Sequence, residues 1–549
     1  MSLVPFLLIT GVGALAALLT RRVERVSDVI GWGTLVAAIL AALLITPGQT
    51  VVLGEGGIAT TEYLRLFLAL GSIAGLLLAV VGAAAGGPRE VPGVTLAILA
   101  TTALALALPD PRVAILASTT GGVVAVLLPV GATGGRAGAT AGVRVLRAMV
   151  IAGTMAISAT AWIGRDLSEL AAQPIVFGLC YLAVAIAVAI RFGAIPVHAW
   201  AARLTDAIPD ATLPLVTAWS AGAFAIVALA WADASVAPLL LDLDQVRLVV
   251  LAIAVASIFL SSVAAWIQDD IEHIVGYSIV GDAGVVMLGV AALDPEAWAP
   301  ARIWIVAFVV ARSAFAAWAA STRLTFHTGR VKELRGWMLS SPLLAIAFAI
   351  TVVASIGLPG LAAFEARSQL VELALDGPIA VIVLLGTLTP LVYYGRLVSM
   401  GVTRKPGTAA AERLPWRPVV GALDLTDLPA WSRRTWDANR ALAATAVTIV
   451  TAVLALAMSA GAFGVIESAA GLPPTVQDVS ESFEPGQPVG SEAPGSSAGP
   501  ETSPEVEPSA SPSEAPSSEA PPSEAPSVES GSPGASAPSF EPVPTPEPS

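Results

Sequence analysis

Few side chains in this 549-residue sequence hold charge within apolar surroundings, and most of those are arginines. Arg191 closes the run YLAVAIAVAIRF, Arg312 interrupts VAFVVARSAFAAW, Arg367 follows GLPGLAAFEA, and Asp282 stands inside IVGYSIVGDAGVVMLGV. An ion placed among hydrocarbon costs upward of about 2.5 kcal/mol, so such a residue marks an ion path or a structural ion pair and requires a partner. Asp282 and Arg312 fall on consecutive apolar segments and are expected to pair. Glu365 and Glu372 flank Arg367 and are further candidates for carrying protons. His198 is the histidine placed for a relay, since free imidazole titrates near pH ~6.5, with a packed hydrogen-bonding role as the alternative. His273 and His327 read as loop or interface residues.

Other chemistry finds no support. Cys180 is the single cysteine, which excludes a disulfide framework, a zinc cluster and a Cys-ligated iron–sulfur centre. There is no P-loop and no GxGxxG after a strand. No catalytic residues and no metal ligands are therefore assigned, and no cofactor is expected in this chain.

The elements that position these charges are membrane helices. Hydrophobic residues make up 55% of the chain and charged residues only 13%, with a mean hydropathy of +0.79. A soluble chain carries nearer a quarter charged residues. The formal charge of −13 belongs to one end of the sequence: residues 473–549 hold the carboxylates from Asp478 to Glu547 and no Lys, Arg or His, and these equal the whole imbalance. The remaining body is neutral, which excludes nucleic-acid binding by a basic surface.

A hydrocarbon core of about 30 Å needs roughly 20 apolar residues of helix, and about 14 such segments are present. The expected architecture is an all-α polytopic membrane protein. Residues 1–84 supply the first three spans, 85–400 the functional core, 401–440 a basic cytoplasmic loop and 441–466 the last span. Residues 472–549 form an acidic Pro/Ser/Glu/Ala tail with SEAP repeats, too poor in apolar surface to offset folding entropy and so expected to be disordered. Arg21, Arg22 and Arg25 follow the first apolar run, so it reads as a retained helix rather than a signal peptide. The loops at 136–147, 323–335 and 404–434 are basic, whereas those at 47–61, 232–245 and 294–299 are acidic or neutral. By the positive-inside rule both termini lie outside a bacterial-type plasma membrane.

Two stretches depart from simple spanning helices. Pro196 interrupts the chain five residues after Arg191, and GLPG at Gly357, Pro359 and Gly360 interrupts a run at 341–374 that is about 51 Å long if helical. Lipid offers no partners for backbone freed by such breaks, so the breaks must face protein or water. Broken helices in the two halves of a transporter point to an ion site near the midplane. Arg191 precedes its break and Arg367 follows its own, as an inverted repeat would place them.

The segment RFGAIPVHAWAARLTDAIPDATLPLVTAW resembles the hallmark of antiporter-like membrane subunits of respiratory complex I and of multisubunit cation/proton antiporters, in which Lys precedes P-F-H-x-W. DDIEHIVGYSIVGDAGVVMLG, ELRGWMLSSPLLA, ASIGLPGLAAFEARSQL and YYGRLV resemble later blocks of that family in order, over roughly residues 85–400. Length makes the chain most similar to the subunit N branch of the bacterial NADH-quinone oxidoreductases. The resemblance implies about fourteen spans, proton translocation coupled to quinone reduction, and assembly with other membrane subunits in the bilayer.

The same resemblance exposes replacements. The family's fifth-helix glutamate meets only Ser118, Thr119 or Thr120 here. Its seventh-helix lysine corresponds to Arg191 and its late broken-helix lysine to Arg367. Its eighth-helix lysine falls near Ala221, and its histidine in the S-x-x-H block at Asp282. Lysine loses its proton when desolvated, whereas a guanidinium is effectively always charged. Titration must then move to Asp282, Glu365, Glu372 or His198, or transport is lost. The expected function is a non-redox, proton-translocating subunit of an NADH-quinone oxidoreductase-like complex. The alternatives are a cation/proton antiporter subunit and a non-pumping scaffold.

Overall fold

The computed structural model describes residues 1–470 apart from 21–22, 54–55, 87–90, 134, 163–173, 236–242, 404–429 and 462–463. The acidic tail and most of the basic 401–440 loop lie outside the described residues. What is described is a helical membrane bundle with one short antiparallel hairpin, β1 (Thr50–Leu53) and β2 (Gly56–Ala59), in register from Thr50 opposite Ala59.

The helices follow the apolar runs. In order they are α1 (Val4–Leu19), α2 (Glu24–Leu43), α3 (Glu62–Ala84), α4 (Val91–Ala107), α5 (Pro111–Thr133), α6 (Gly135–Trp162) and α7 (Pro174–Phe192). After the short α8 (Ala199–Leu204) and a π-helical turn at Leu215–Trp219 come α9 (Ser220–Ser235), α10 (Asp244–Ile267), α11 (Ile271–Ala292) and α12 (Trp298–Phe326). The last set is α13 (Trp337–Ser340), α14 (Pro342–Ile356), α15 (Ala362–Ala374), α16 (Gly377–Gly386), α17 (Pro390–Val402), α18 (Ala430–Ser459) and α19 (Val465–Ala470). Among the described residues, eleven segments are long and apolar enough to cross a membrane, and α1, α4 and α14 are shorter apolar helices of 16, 17 and 15 residues.

Two boundaries differ from the sequence reading. The last helix begins at Ala430, so the end of the segment expected as loop is helical, and it stops at Ser459, short of residue 466. Gly461 and Gly464 there take positive φ, which ends the helix before α19.

Alternate connections gather at two ends of the bundle. At one, the Tyr63 hydroxyl donates to Arg302 O at 3.0 Å, Arg302 Nη1 donates to Ala470 O at 2.9 Å, and Arg247 Nε donates to Ala291 O at 2.9 Å. At the other, Lys332 Nζ lies 3.1 Å from Asp269 Oδ1 and Arg396 Nη1 donates to Gln268 O. In between, small residues let backbones close up, as membrane packing requires. A Cβ on Gly284 of α11 would stand 2.7 Å from Ala254 O of α10.

Both expected breaks are present. α7 ends at Phe192, one residue past Arg191, and the chain turns through Pro196 into α8. The freed groups find protein partners: Trp200 Nε1 donates to Ile190 O at 2.9 Å, and Ile195 N donates to Ser257 Oγ at 3.0 Å. The second break separates α14 from α15 at residues 357–361. Gly357 takes φ +59 and a Cβ there would lie 3.2 Å from Phe364 N, so the turn admits only glycine without rearrangement.

Candidate functional site

The second break backs onto the densest buried polar cluster. Asp282 sits mid-way along α11, and Arg312 comes from the facing turn of α12. The two meet as a fork: Arg312 Nε donates to Asp282 Oδ2, and Arg312 Nη2 donates to Oδ1 at 3.0 Å. Arg312 Nη1 spends its remaining reach on the Tyr394 hydroxyl at 2.7 Å. Trp304 Nε1 donates to the Asp282 carbonyl at 3.2 Å. Arg312 and Asp282 are both buried, and bidentate pairing of this kind fixes orientation as well as charge.

Arg367 completes the cluster. Its Nη2 points at Gly357 O, 3.5 Å away, which caps the C-terminus of α14. Its guanidinium also lies over Trp304 and Phe364, 5.6 and 5.3 Å from the ring centroids, and it is close enough to Asp282 to feel that charge. The carboxylate is thus paired with one guanidinium and lies in the field of a second.

The first break holds Arg191 by different means. The residue lies in the last turn of α7, where the helix dipole favours a cation. Arg191 Nη2 donates to Ser220 Oγ at 2.9 Å, to Ser220 O at 3.1 Å and to Ser118 O at 3.4 Å, and Nη1 donates to Met149 Sδ at 3.3 Å. Phe224 lies under it at 5.1 Å. Among the described residues no carboxylate pairs with it. Space for the guanidinium comes from Gly122 of α5, where a Cβ would overlap Arg191 Nη1.

The structure brings together Asp282, Arg312 and Arg367 from the sequence-expected set and leaves the others apart. Glu365 and Glu372 do not join this cluster: both are exposed on α15. Seven residues apart they share one face, while Arg367, two residues from Glu365, faces the opposite way into the bundle. His198 does not reach Asp282; its ring lies 6.1 Å from Tyr277, and its enclosed Nδ1 has no hydrogen-bond partner among the described residues. Between the two breaks the centre is apolar. Ala221 is buried where the family carries lysine, Gly222 packs against Ile305 and Val309, and Phe192 packs on Phe308.

The sequence reading missed Tyr394 and Trp304, which hold the acid–arginine pair, and Gly122, which admits Arg191. It also missed a cluster at the end of the bundle that carries Lys332, made by Asp210, Glu272 and Arg323. Tyr394 was legible as part of the YYGRLV block; Gly122 had no local signal.

Residues 146–392 match the family described as NADH:quinone oxidoreductase/Mrp antiporter, transmembrane. The chain carries an antiporter-type transmembrane domain. This domain contains Arg191, Asp282, Arg312 and Arg367 together with both breaks. The chain is 26% identical over 295 residues to NADH-quinone oxidoreductase subunit N 1 of Streptomyces griseus subsp. griseus, covering 53% of this chain and 56% of that protein. It is 26% identical over 247 residues to subunit N of Halorhodospira halophila, covering 44% and 50%. These matches span about half the length of the relatives. In fold, the chain superimposes on a chain of the Mrp complex from Dietzia sp. with a TM-score of 0.66 at 17% identity, covering 87% of this chain and 97% of that one. A chain of respiratory complex I from Thermus thermophilus gives 0.60 at 20%, covering 82% and 97%.

Proposed function

We propose that this chain is a non-redox membrane subunit of a respiratory NADH-quinone oxidoreductase-like complex, in which quinone reduction in other subunits drives proton translocation through the bundle. The observation that carries the reading is the buried Asp282–Arg312 pair in the field of Arg367, behind a broken helix and inside the segment that matches the antiporter-type family. Buried charge of this kind marks ion paths by default. The basic end with Arg323, Lys332 and Arg396 faces the cytoplasm of a bacterial-type plasma membrane, and both termini face outward.

In this reading the guanidiniums set the field and do not shuttle protons, since arginine stays charged at any accessible pH. Asp282 is the group within the cluster able to change protonation. A displacement of Asp282 from Arg312 toward Arg367 exchanges one ion pair for another and gives the site two states. Tyr394 steadies Arg312 in the first of these.

A second reading, a scaffold that retains the fold without pumping, is favoured by the apolar centre at Ala221 and Gly222 and by the lack of a described carboxylate beside Arg191. The intact complex purified through a tag on this chain, reconstituted in vesicles and fed a reduced donor and quinone, separates the readings. Co-purifying iron–sulfur subunits and redox-driven proton uptake that falls in Asp282→Asn support the proposal. Small antiporter subunits with cation-driven exchange and no redox activity support a cation/proton antiporter instead. A fully assembled complex whose proton uptake ignores Asp282→Asn supports the scaffold.

A further inference from the structure

At the basic end of the bundle a carboxyl pair shares one arginine. Arg323, in the last turn of α12, hydrogen-bonds Glu272 in the first turn of α11, and its Nε stands 3.5 Å from Asp210 Oδ2. Asp210 comes from the connection between α8 and the π-helical turn. Asp270 lies within the field of Arg323, and His273 Nε2 stands 3.2 Å from Asp206 Oδ1 beside them. Among the described side chains, the charged and titratable groups around Asp210 are Arg323 and Glu272, with Asp270, His273 and Asp206 at the rim.

Exposure is graded across this cluster. The Arg323 side chain is 41% exposed, Glu272 19% and Asp210 7%, so water reaches the arginine first and Asp210 last. One guanidinium serves two carboxylates, and Glu272 takes its hydrogen bond. Burial disfavours the ionised form of Asp210, Arg323 opposes that effect and the neighbouring Glu272 reinforces it; together they push its carboxyl up to about 7.

The cluster and the buried site lie on the same two helices. Asp282 lies ten residues beyond Glu272 on α11, and Arg312 eleven residues before Arg323 on α12, about 15 Å and 16 Å deeper. One turn inward from His273, Tyr277 faces His198 and its unpartnered Nδ1.

We propose that Asp210 is the proton-exchanging carboxyl at this mouth of the bundle, taking protons from water under the joint control of Arg323 and Glu272 and passing them toward the buried axis. The inference rests on the proton-translocating reading and deepens it by naming the group at which protons first leave water. It differs from a structural ion pair in one respect: the carboxyl must change protonation in the working pH range.

The test uses the intact, reconstituted complex in two measurements. In pH-titrated infrared difference spectra, a protonated-carboxyl band that shifts in deuterated water should titrate near neutrality, be lost in Asp210→Asn, and move down by about one pH unit or more in Glu272→Gln, which frees Arg323 for Asp210. Redox-driven proton uptake at neutral pH should fall by about 10-fold or more in Asp210→Asn, and its pH profile should move to lower pH in Glu272→Gln. If Asp210→Asn fails to assemble, the wild-type band and its shift in Glu272→Gln decide the matter. Absence of a band titrating near neutrality, or an assembled Asp210→Asn complex with unchanged uptake and pH profile, overturns the proposal. Wild-type vesicles that move no protons overturn the translocating reading itself, and with it the transport role of Asp210, even where the band titrates.

Discussion

Gly122 and Arg191 are complementary in size: the α5 glycine leaves the volume that the α7 guanidinium occupies, so that a Cβ on one would overlap Nη1 of the other. The relationship explains how a longer, forked side chain fits where the family carries lysine. It also explains why carbonyl and hydroxyl oxygens at Ser118 and Ser220 surround this cation.

Gly122→Ala should therefore destabilise the bundle by about 1–3 kcal/mol, the usual cost of overpacking. The penalty should largely vanish in an Arg191→Ala background, which removes the clashing group. Thermal unfolding of the four members of this cycle in detergent checks the coupling. Additive losses would show that the two residues do not share the space.

The Asp282–Arg312 fork makes opposite predictions for single and paired substitutions. Asp282→Asn leaves Arg312 buried without a counter-charge and should cost about 3–5 kcal/mol. Adding Arg312→Met should restore much of the stability, because two neutral side chains of matched volume need no desolvated ions. Yield of assembled complex and unfolding temperature read the stability, and proton uptake reads the function. Recovery of assembly without recovery of uptake identifies the pair as functional rather than merely structural.

At the second break, Gly357 and Gly360 both take positive φ, at +59 and +89, but only Gly357 has a neighbour where a Cβ would go. Either alanine substitution forces a strained backbone worth about 1–3 kcal/mol. Gly357→Ala should be the more damaging, since it also crowds Phe364 N and displaces the carbonyl that Arg367 faces. Comparing assembly and proton uptake of the two variants tests the order, and equal effects would leave backbone strain as the sole cause.

The parts of this site legible from sequence were those with a local signature. GLPG marked a break because two glycines and a proline within four residues strongly disfavour a continuous helix, and Asp282 with Arg312 stood out as opposite charges on consecutive apolar runs. Glu365 and Glu372 stood out by charge alone, because a long apolar run conceals which face is inward; helical periodicity sets both opposite Arg367. Gly122 was illegible for a different reason. The space it leaves matters only to a residue some seventy positions later, and no property of its own neighbours records that. Asp210 has no local signature beyond its place between Pro209 and Pro214, and only the approach of α11 and α12 gives it Glu272 and Arg323 for company.

That company gives Asp210 a pH signature in stability as well as in transport. Burial and Glu272 push its carboxyl up to about 7 in the folded chain, against the Arg323 charge, whereas an aspartate in unfolded chain titrates near ~3.9. Between those values the folded state holds one proton more than the unfolded state, so the contribution to stability is complete below about pH 4 and is lost as pH rises through about 7. The loss should be local, since Asp210 belongs to the connection between α8 and the π-helical turn. Hydrogen exchange of residues 199–214 in the detergent-solubilised complex, corrected for the intrinsic pH dependence of exchange, should show protection falling from pH 5 to pH 8 in the wild type and a flatter profile in Asp210→Asn. The difference between the two proteins, and not either slope alone, isolates Asp210. Glu272→Gln should move the wild-type fall to lower pH, because it removes the neighbouring charge and releases Arg323 toward Asp210. Identical profiles for wild type and Asp210→Asn would mean that the carboxyl is ionised throughout and serves only as an anchor for Arg323.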